Sequence, residues 1–160
     1  MNWDKATDII LITAIATLGI FALLGLYQWI SRKSLKKVDK SLPAMLIPLV
    51  LMAATYFVFD KFWVLNTRPD GSGEPSFPST HVMVVATIFA LVALNLPRYV
   101  KSKTLRIVLY LAMLALTALV SVGRVLANQH WSSDVAGALI FATIFTIIYY
   151  VIARKDLQNA

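Results

Sequence analysis

Six polar side chains of the kinds that handle phosphate stand in three short clusters of an otherwise apolar chain. Lys61 is followed after six residues by Arg68-Pro69, then comes Pro78-Ser79-Thr80-His81, and then Arg124, His130 and Asp134 at intervals of six and four. Three cations, two histidines and a carboxylate are the groups needed to hold a phosphate and pass it through an imidazole. The chain has only two histidines, and both lie in these clusters. Cationic side chains stabilise the charge on the non-bridging oxygens, and phosphoryl transfer depends mostly on such positioning and electrostatics. Arginine's planar fork suits bidentate contact, whereas lysine acts as a point charge.

Each cluster has an ordinary reading beside the chemical one. Asp134 follows His130 by four residues, which on a helix puts both on one face. A carboxylate accepting from one imidazole nitrogen would fix the tautomer and free the other to attack, with His130 as nucleophile and Asp134 as its orienter. The same pair reads equally well as a polar cap, with Ser132 and Ser133 beside it. Pro78-Ser79-Thr80-His81 reads as a turn entering a helix. Its amides and the Ser79 hydroxyl would meet phosphate at the positive end of the helix dipole, and His81 would protonate a leaving alkoxide. Ordinary N-capping by Ser79 is expected there as well.

The elements that must position these groups read as membrane helices. Of 160 residues, 59% are hydrophobic and 14% charged, and the mean hydropathy is +0.72. A soluble domain runs near 45–50% apolar and about 25% charged. Runs free of Asp, Glu, Lys and Arg cover about 9–30, 41–59, 75–97, 107–123 and 135–153, each close to the ~20 residues that cross a bilayer core. Backbone in lipid must satisfy itself, so these are helices. Pro75 and Pro78 move the start of the third to about Ser79, giving 79–97. The expected fold is therefore all-α, a polytopic bundle of five transmembrane helices in one domain, 1–160. Pro43 and Pro48 are expected in the first turn and at a kink of the second helix. The leader Met1–Asp8 carries Asp4 and Asp8 against Lys5, unlike a signal peptide, so the first helix is expected to be retained.

The net charge of +7 is explained by topology rather than by nucleic acid. The segments 31–40 and 98–106 and the tail from Arg154 hold eleven of the fifteen basic residues, which makes their side cytoplasmic. The N-terminus then lies outside and the C-terminus inside. Lys61, Arg68 and Arg124 fall on the outer side, where a topology signal would not place them. With no cysteine, disulfide and thiolate chemistry are excluded. Asp60, Asp70 and Glu74 show no ligand spacing, so no metal site is expected, and loop polarity explains them. Trp3, Trp63, Trp131 and Trp29 fit interfacial belts.

As an ordered triple, the clusters resemble the type 2 phosphatidic acid phosphatase family of integral lipid phosphatases, whose pattern is K-x6-RP, PSGH and SR-x5-H-x3-D. The resemblance covers about residues 55–140. It implies a histidine-nucleophile, metal- and cofactor-independent phosphatase facing outward. His130 would be the nucleophile, His81 the general acid, and Lys61, Arg68, Ser79, Thr80 and Arg124 the phosphate contacts. The implied substrate is a phosphorylated membrane lipid: undecaprenyl diphosphate, phosphatidylglycerophosphate, phosphatidic acid or another phospholipid. Departures are Thr80 for the pattern's Gly, Gly123 for its Ser (Ser121 being the nearest alternative hydroxyl), and five helices where members usually have six. Two alternatives compete. One is a transporter or binding protein, or a pseudoenzyme that the changes at Gly123 and Thr80 would support, holding an anionic headgroup without cleaving it. The other is the vanadium haloperoxidases, similar in their pocket but soluble and larger.

Overall fold

The computed structural model describes residues 2–158; the ends of the expected 1–160 domain, Met1, Asn159 and Ala160, lie outside the described residues. The elements are helices α1 (Trp3–Arg32), a 3-10 turn (Leu35–Lys37), α2 (Ser41–Ala44), α3 (Leu46–Lys61), α4 (Thr80–Tyr99), α5 (Lys103–Leu126) and α6 (Ser132–Gln158). Among the described residues five helices are long and apolar enough to cross a membrane, α2 and α3 forming one span, Ser41–Lys61. These are the five expected helices, each reaching past its charge-free run. Charged residues extend the ends because the helix ladder continues through them into the interfacial zone. At the start of α1 the Asn2 side chain accepts from the Lys5 amide at 3.2 Å, closing the first turn, which contains Asp4.

The two prolines of the second span act as a pair. Pro43 sits within the short α2, the helix breaks at Met45, and Pro48 lies in the first turn of α3. Proline lacks an N–H and is tolerated in a first turn, so the expected kink is realised as a restart.

Helix α4 is the central element. It packs against α1, α5, α6 and, more lightly, α3, and 56% of its spanning window is buried, far more than in any other span. Lipid supplies no hydrophobic drive between helices, so close approach and interhelical hydrogen bonds must hold the bundle. Gly137, Ala138 and Ala142 on α6 let it lie close to its neighbours, and the Phe77 ring rests directly over Gly137. In the bundle interior Asn95 donates to Tyr149 Oη at 2.6 Å, and that hydroxyl donates to the Ser41 carbonyl at 3.1 Å, linking α4, α6 and α2.

The basic end is clamped by two carboxylates. Asp39 accepts from Gln28 and Tyr99 at 2.8 Å each and pairs with Arg32 and Arg98. Burial alone pushes the Asp39 carboxyl upward, but these bonds outweigh it and hold the group below the usual carboxylate range. Asp156 takes Arg98 at 2.7 Å and the Ser41 amide at 2.9 Å. The opposite end carries the three sequence clusters. Between α1 and the second span lies an apolar groove of about 620 Å³, lined by residues such as Phe21, Trp29, Leu42 and Leu46.

Because a Cβ at Gly137 would collide with the Phe77 ring, Gly137→Ala is expected to lower stability by about 1–3 kcal/mol, the cost of overpacking. Thermal unfolding of the detergent-purified protein measures it.

Candidate active site

Four segments converge at the motif end: the start of α1, the loop between α3 and α4, the start of α4, and the α5–α6 junction. The loop folds back on itself through Arg68 N–H to Glu74 O and Ser76 N–H to Asn66 O, both 2.9 Å. Gly71 and Gly73 turn it with φ of 81° and 76°, backbone values at which glycine carries no Cβ penalty. Aromatic rings fasten the loop to its neighbours: Phe77 meets Phe59 of α3 at 5.2 Å and Phe141 of α6 at 6.5 Å between centroids. Trp131 Nε1 donates to the Thr67 carbonyl at 2.8 Å.

His130 lies in the short turn between α5 and α6 and is 5% exposed. Its Nδ1 is 2.9 Å from the Ser76 carbonyl oxygen. A carbonyl only accepts, so Nδ1 carries the proton and Nε2 keeps a free lone pair. Burial, then the Arg124 guanidinium, then that of Arg68, hold the imidazole down from 6.5 to about 4, against the opposing effects of the Ser76 bond and Asp134. His130 is therefore neutral at physiological pH.

This corrects the expected orienter. The nearest Asp134 oxygen is 3.7 Å from Nδ1, beyond a hydrogen bond. Helix α6 begins at Ser132, so His130 is not on it and the i,i+4 argument fails. Asp134, wholly buried, instead accepts from Asn66 Nδ2 at 2.6 Å and from the Trp131 amide at 2.9 Å. It closes the first turn of α6 and fixes the loop that presents the Ser76 carbonyl. Beyond its direct charge effect on the ring, it acts on His130 through Asn66 and Ser76, which the sequence did not single out. A backbone carbonyl leaves no trace in residue type, and Asn66 reads as loop polarity.

The phosphate-binding candidates divide. Arg68 donates to Gln129 Oε1 at 2.8 Å and pairs with Glu74 at 3.0 Å, while its Nε is buried without a partner. Arg124 is 5% exposed, donates through one terminal nitrogen to Asp4 at 2.8 Å, and likewise keeps an unpartnered buried Nε. Ser79 is fully buried and is the N-cap residue of α4, yet its hydroxyl makes no cap bond and has no partner. The expected capping role is absent. Its amide donates to the Asp134 carbonyl at 3.1 Å, tying α4 to α6. Thr80 opens α4 and lines a small groove with Met52, Tyr56 and Met83. Lys61 stands apart: its side chain is 63% exposed at the end of α3, and its ammonium pairs with the adjacent Asp60 at 2.7 Å. Ser121 bonds back to the Thr117 carbonyl of its own helix at 2.7 Å and does not replace the missing hydroxyl at position 123.

Residues of α1 enter the site unannounced. Asp8 Oδ1 lies 2.9 Å from His81 Nε2, and Asp4 holds Arg124. The absence of a side chain at Gly123 admits this helix, since a Cβ there would stand 2.6 Å from Thr7 Cγ2 and 3.3 Å from the Trp3 ring. Two acids four residues apart, at one end of a greasy helix, are the signal that could have found them.

The fold and site thus define a polytopic membrane protein with one buried and one half-buried guanidinium, an unpartnered serine and a neutral histidine gathered at one rim of the bundle. The PAP2 superfamily model matches residues 44–157, and the chain belongs to that superfamily. Among solved structures, it is similar to a transmembrane PAP2-type phosphatidylglycerolphosphate phosphatase from Bacillus subtilis, with a TM-score of 0.73 and 19% identity over 94% of this chain and 76% of that one. No curated protein matches it. The chain is an integral membrane protein of this superfamily.

Because Ser79 Oγ bonds to nothing among the described residues, Ser79→Ala is expected to leave thermal stability unchanged. Affinity for inorganic phosphate, measured by titration calorimetry, should fall about tenfold, the worth of one hydrogen bond to a charged ligand.

Proposed function

We propose that this protein hydrolyses a lipid phosphomonoester or diphosphate through a phosphohistidine on His130, at the extracytoplasmic face of the cell membrane. The observation that carries the reading is the state of His130: a buried, neutral imidazole whose Nδ1 proton is held by the Ser76 carbonyl, with the Arg68 and Arg124 charges bearing on it. That leaves Nε2 as the attacking atom. Membership of the superfamily supports phosphatase chemistry, and the likeness to a phosphatidylglycerolphosphate phosphatase supports a lipid substrate.

Attack by Nε2 on phosphorus breaks the bond to the leaving oxygen, which His81 protonates. Arg68 and Arg124 spread the non-bridging charge through the edges their present partners leave open, and the Ser79 hydroxyl and Thr80 amide add donors at the start of α4. Lys61 contributes a more distant cation from the exposed end of α3. Water then cleaves the P–N bond with His81 as base, and phosphate leaves. No metal enters this scheme. The excess of basic residues at the Asp39–Asp156 end supports a cytoplasmic location for that end and an outward-facing site.

Phosphate release by the detergent-purified protein, in EDTA, from phosphatidic acid, phosphatidylglycerophosphate and undecaprenyl diphosphate tests the reading. Wild type is expected to turn over at least one of them and His130→Ala none. Silence on every lipid with phosphate binding retained in both proteins would make it a headgroup-binding protein instead. The pH profile follows from His130. Attack needs the neutral ring, so activity is lost as pH falls through about 4 rather than through about 6.5, the value of an unperturbed imidazole. A kcat/KM profile measured down to about that pH checks it, and an acid limb at the unperturbed value would contradict the buried, cation-flanked geometry.

A further inference from the structure

We propose that Asp8, on the first helix, is the positioning partner of the general acid, orienting His81 so that its Nδ1 is the atom that exchanges the proton. The inference rests on the lipid phosphatase reading and extends it to a part of the chain outside residues 44–157, the span of the superfamily match.

Asp8 Oδ1 and His81 Nε2 are 2.9 Å apart although 73 residues separate them in sequence. An ionised carboxylate only accepts hydrogen bonds, so Nε2 carries the hydrogen of this pair in either charge state of the ring. Proton exchange with substrate is left to Nδ1. The charged groups that bear on His81 are Asp8 and Asp4 from α1 and Arg124 from α5, so α1 supplies both anions. Its placement is anchored independently of Asp8. Thr7 and Trp3 sit on the bare backbone of Gly123, and the Asp4–Arg124 bond of 2.8 Å spans 120 residues. Asp8 is therefore delivered to His81 by packing, and substituting it leaves those anchors in place.

The steps balance. In the first, the P–N bond to His130 forms, the P–O bond to the lipid breaks, and the proton on His81 Nδ1 passes to the departing oxygen. In the second, the water oxygen bonds to phosphorus, the P–N bond breaks, and the water proton returns to Nδ1. Throughout, Nε2–H stays on Asp8, so the ring neither rotates nor changes tautomer between steps.

The test separates acid positioning from mere structure by the leaving group. An alkoxide needs a proton as it departs, whereas an activated aryl oxide does not. Wild type, Asp8→Asn and Asp8→Glu are compared in the intact chain on whichever lipid of the panel above wild type turns over and on p-nitrophenyl phosphate. Product is read in the first turnover, where only P–O cleavage contributes. Asp8→Asn is expected to slow the lipid reaction about 100-fold, the lower end of what a general acid contributes, and the aryl reaction by no more than about twofold. Asp8→Glu is expected to recover most of the lipid rate. Equal loss on both substrates would make Asp8 a structural group, and no loss on either would show that His81 needs no partner; each overturns the inference while leaving the phosphatase intact. A wild type silent on p-nitrophenyl phosphate and on every lipid of that panel would overturn the phosphatase reading, and this inference with it.

Discussion

A guanidinium cannot be buried alone at the rim of a bilayer. Arg124 is almost fully enclosed, and the cost of removing such a charge from water is recovered only through a partner and further hydrogen bonds. That partner is Asp4, from the opposite end of the chain. The requirement explains why α1 docks where it does, why position 123 has no side chain, and why a helix outside the motif-bearing region reaches the site. The departure from the family pattern at Gly123 and the arrival of Asp4 are two sides of one arrangement. A hydroxyl is absent beside Arg124, and a carboxylate from elsewhere takes one edge of the same guanidinium.

Polar groups at this end follow one logic: each is tied through one of its polar edges. His130 is held through Nδ1, Arg124 through one terminal nitrogen, Arg68 through Gln129 and Glu74, and His81 through Nε2. His130 Nε2 carries no hydrogen-bond partner among the described residues, and the Nε atoms of both arginines and the Ser76 and Ser79 hydroxyls are buried and unpartnered. Such orphaned buried donors are costly in a fold with no other use for them. Their grouping around a neutral imidazole is what a pre-organised anion site requires. The opposite end, with Asp39 and Asp156 fully engaged by Arg32, Arg98, Tyr99 and Ser41, spends its charge on clamping helices instead.

Between the two ends, α4 transmits position. Its first residue stands at the site and its last, Tyr99, bonds to Asp39 at 2.8 Å. Small residues and a few interior hydrogen bonds, rather than a hydrophobic drive, hold α6 and α1 to it. The Phe77 ring over Gly137 extends that packing into the loop that carries Ser79. Helix registry and active-site geometry are therefore set by the same contacts.

Much of this was legible in the residues alone. Five spans follow from the length of charge-free runs, because lipid thickness and backbone hydrogen bonding leave little else for such a segment to be. Both histidines and two of the three cations, picked out by type and spacing, come together at one rim of the bundle. Tertiary structure decided how the groups are held. Sequence spacing assigned Asp134 to His130 by a helical period, but α6 starts two residues after the histidine, and a backbone carbonyl accepts its Nδ1–H instead. Capping statistics assigned the Ser79 hydroxyl to α4, but burial leaves it unpartnered. The acids at positions 4 and 8 looked like a charged leader, and only the packing of α1 on Gly123 brings them to Arg124 and His81. Hydrogen-bond partners are set by three-dimensional approach between segments 50 to 120 residues apart, and no local pattern encodes that approach.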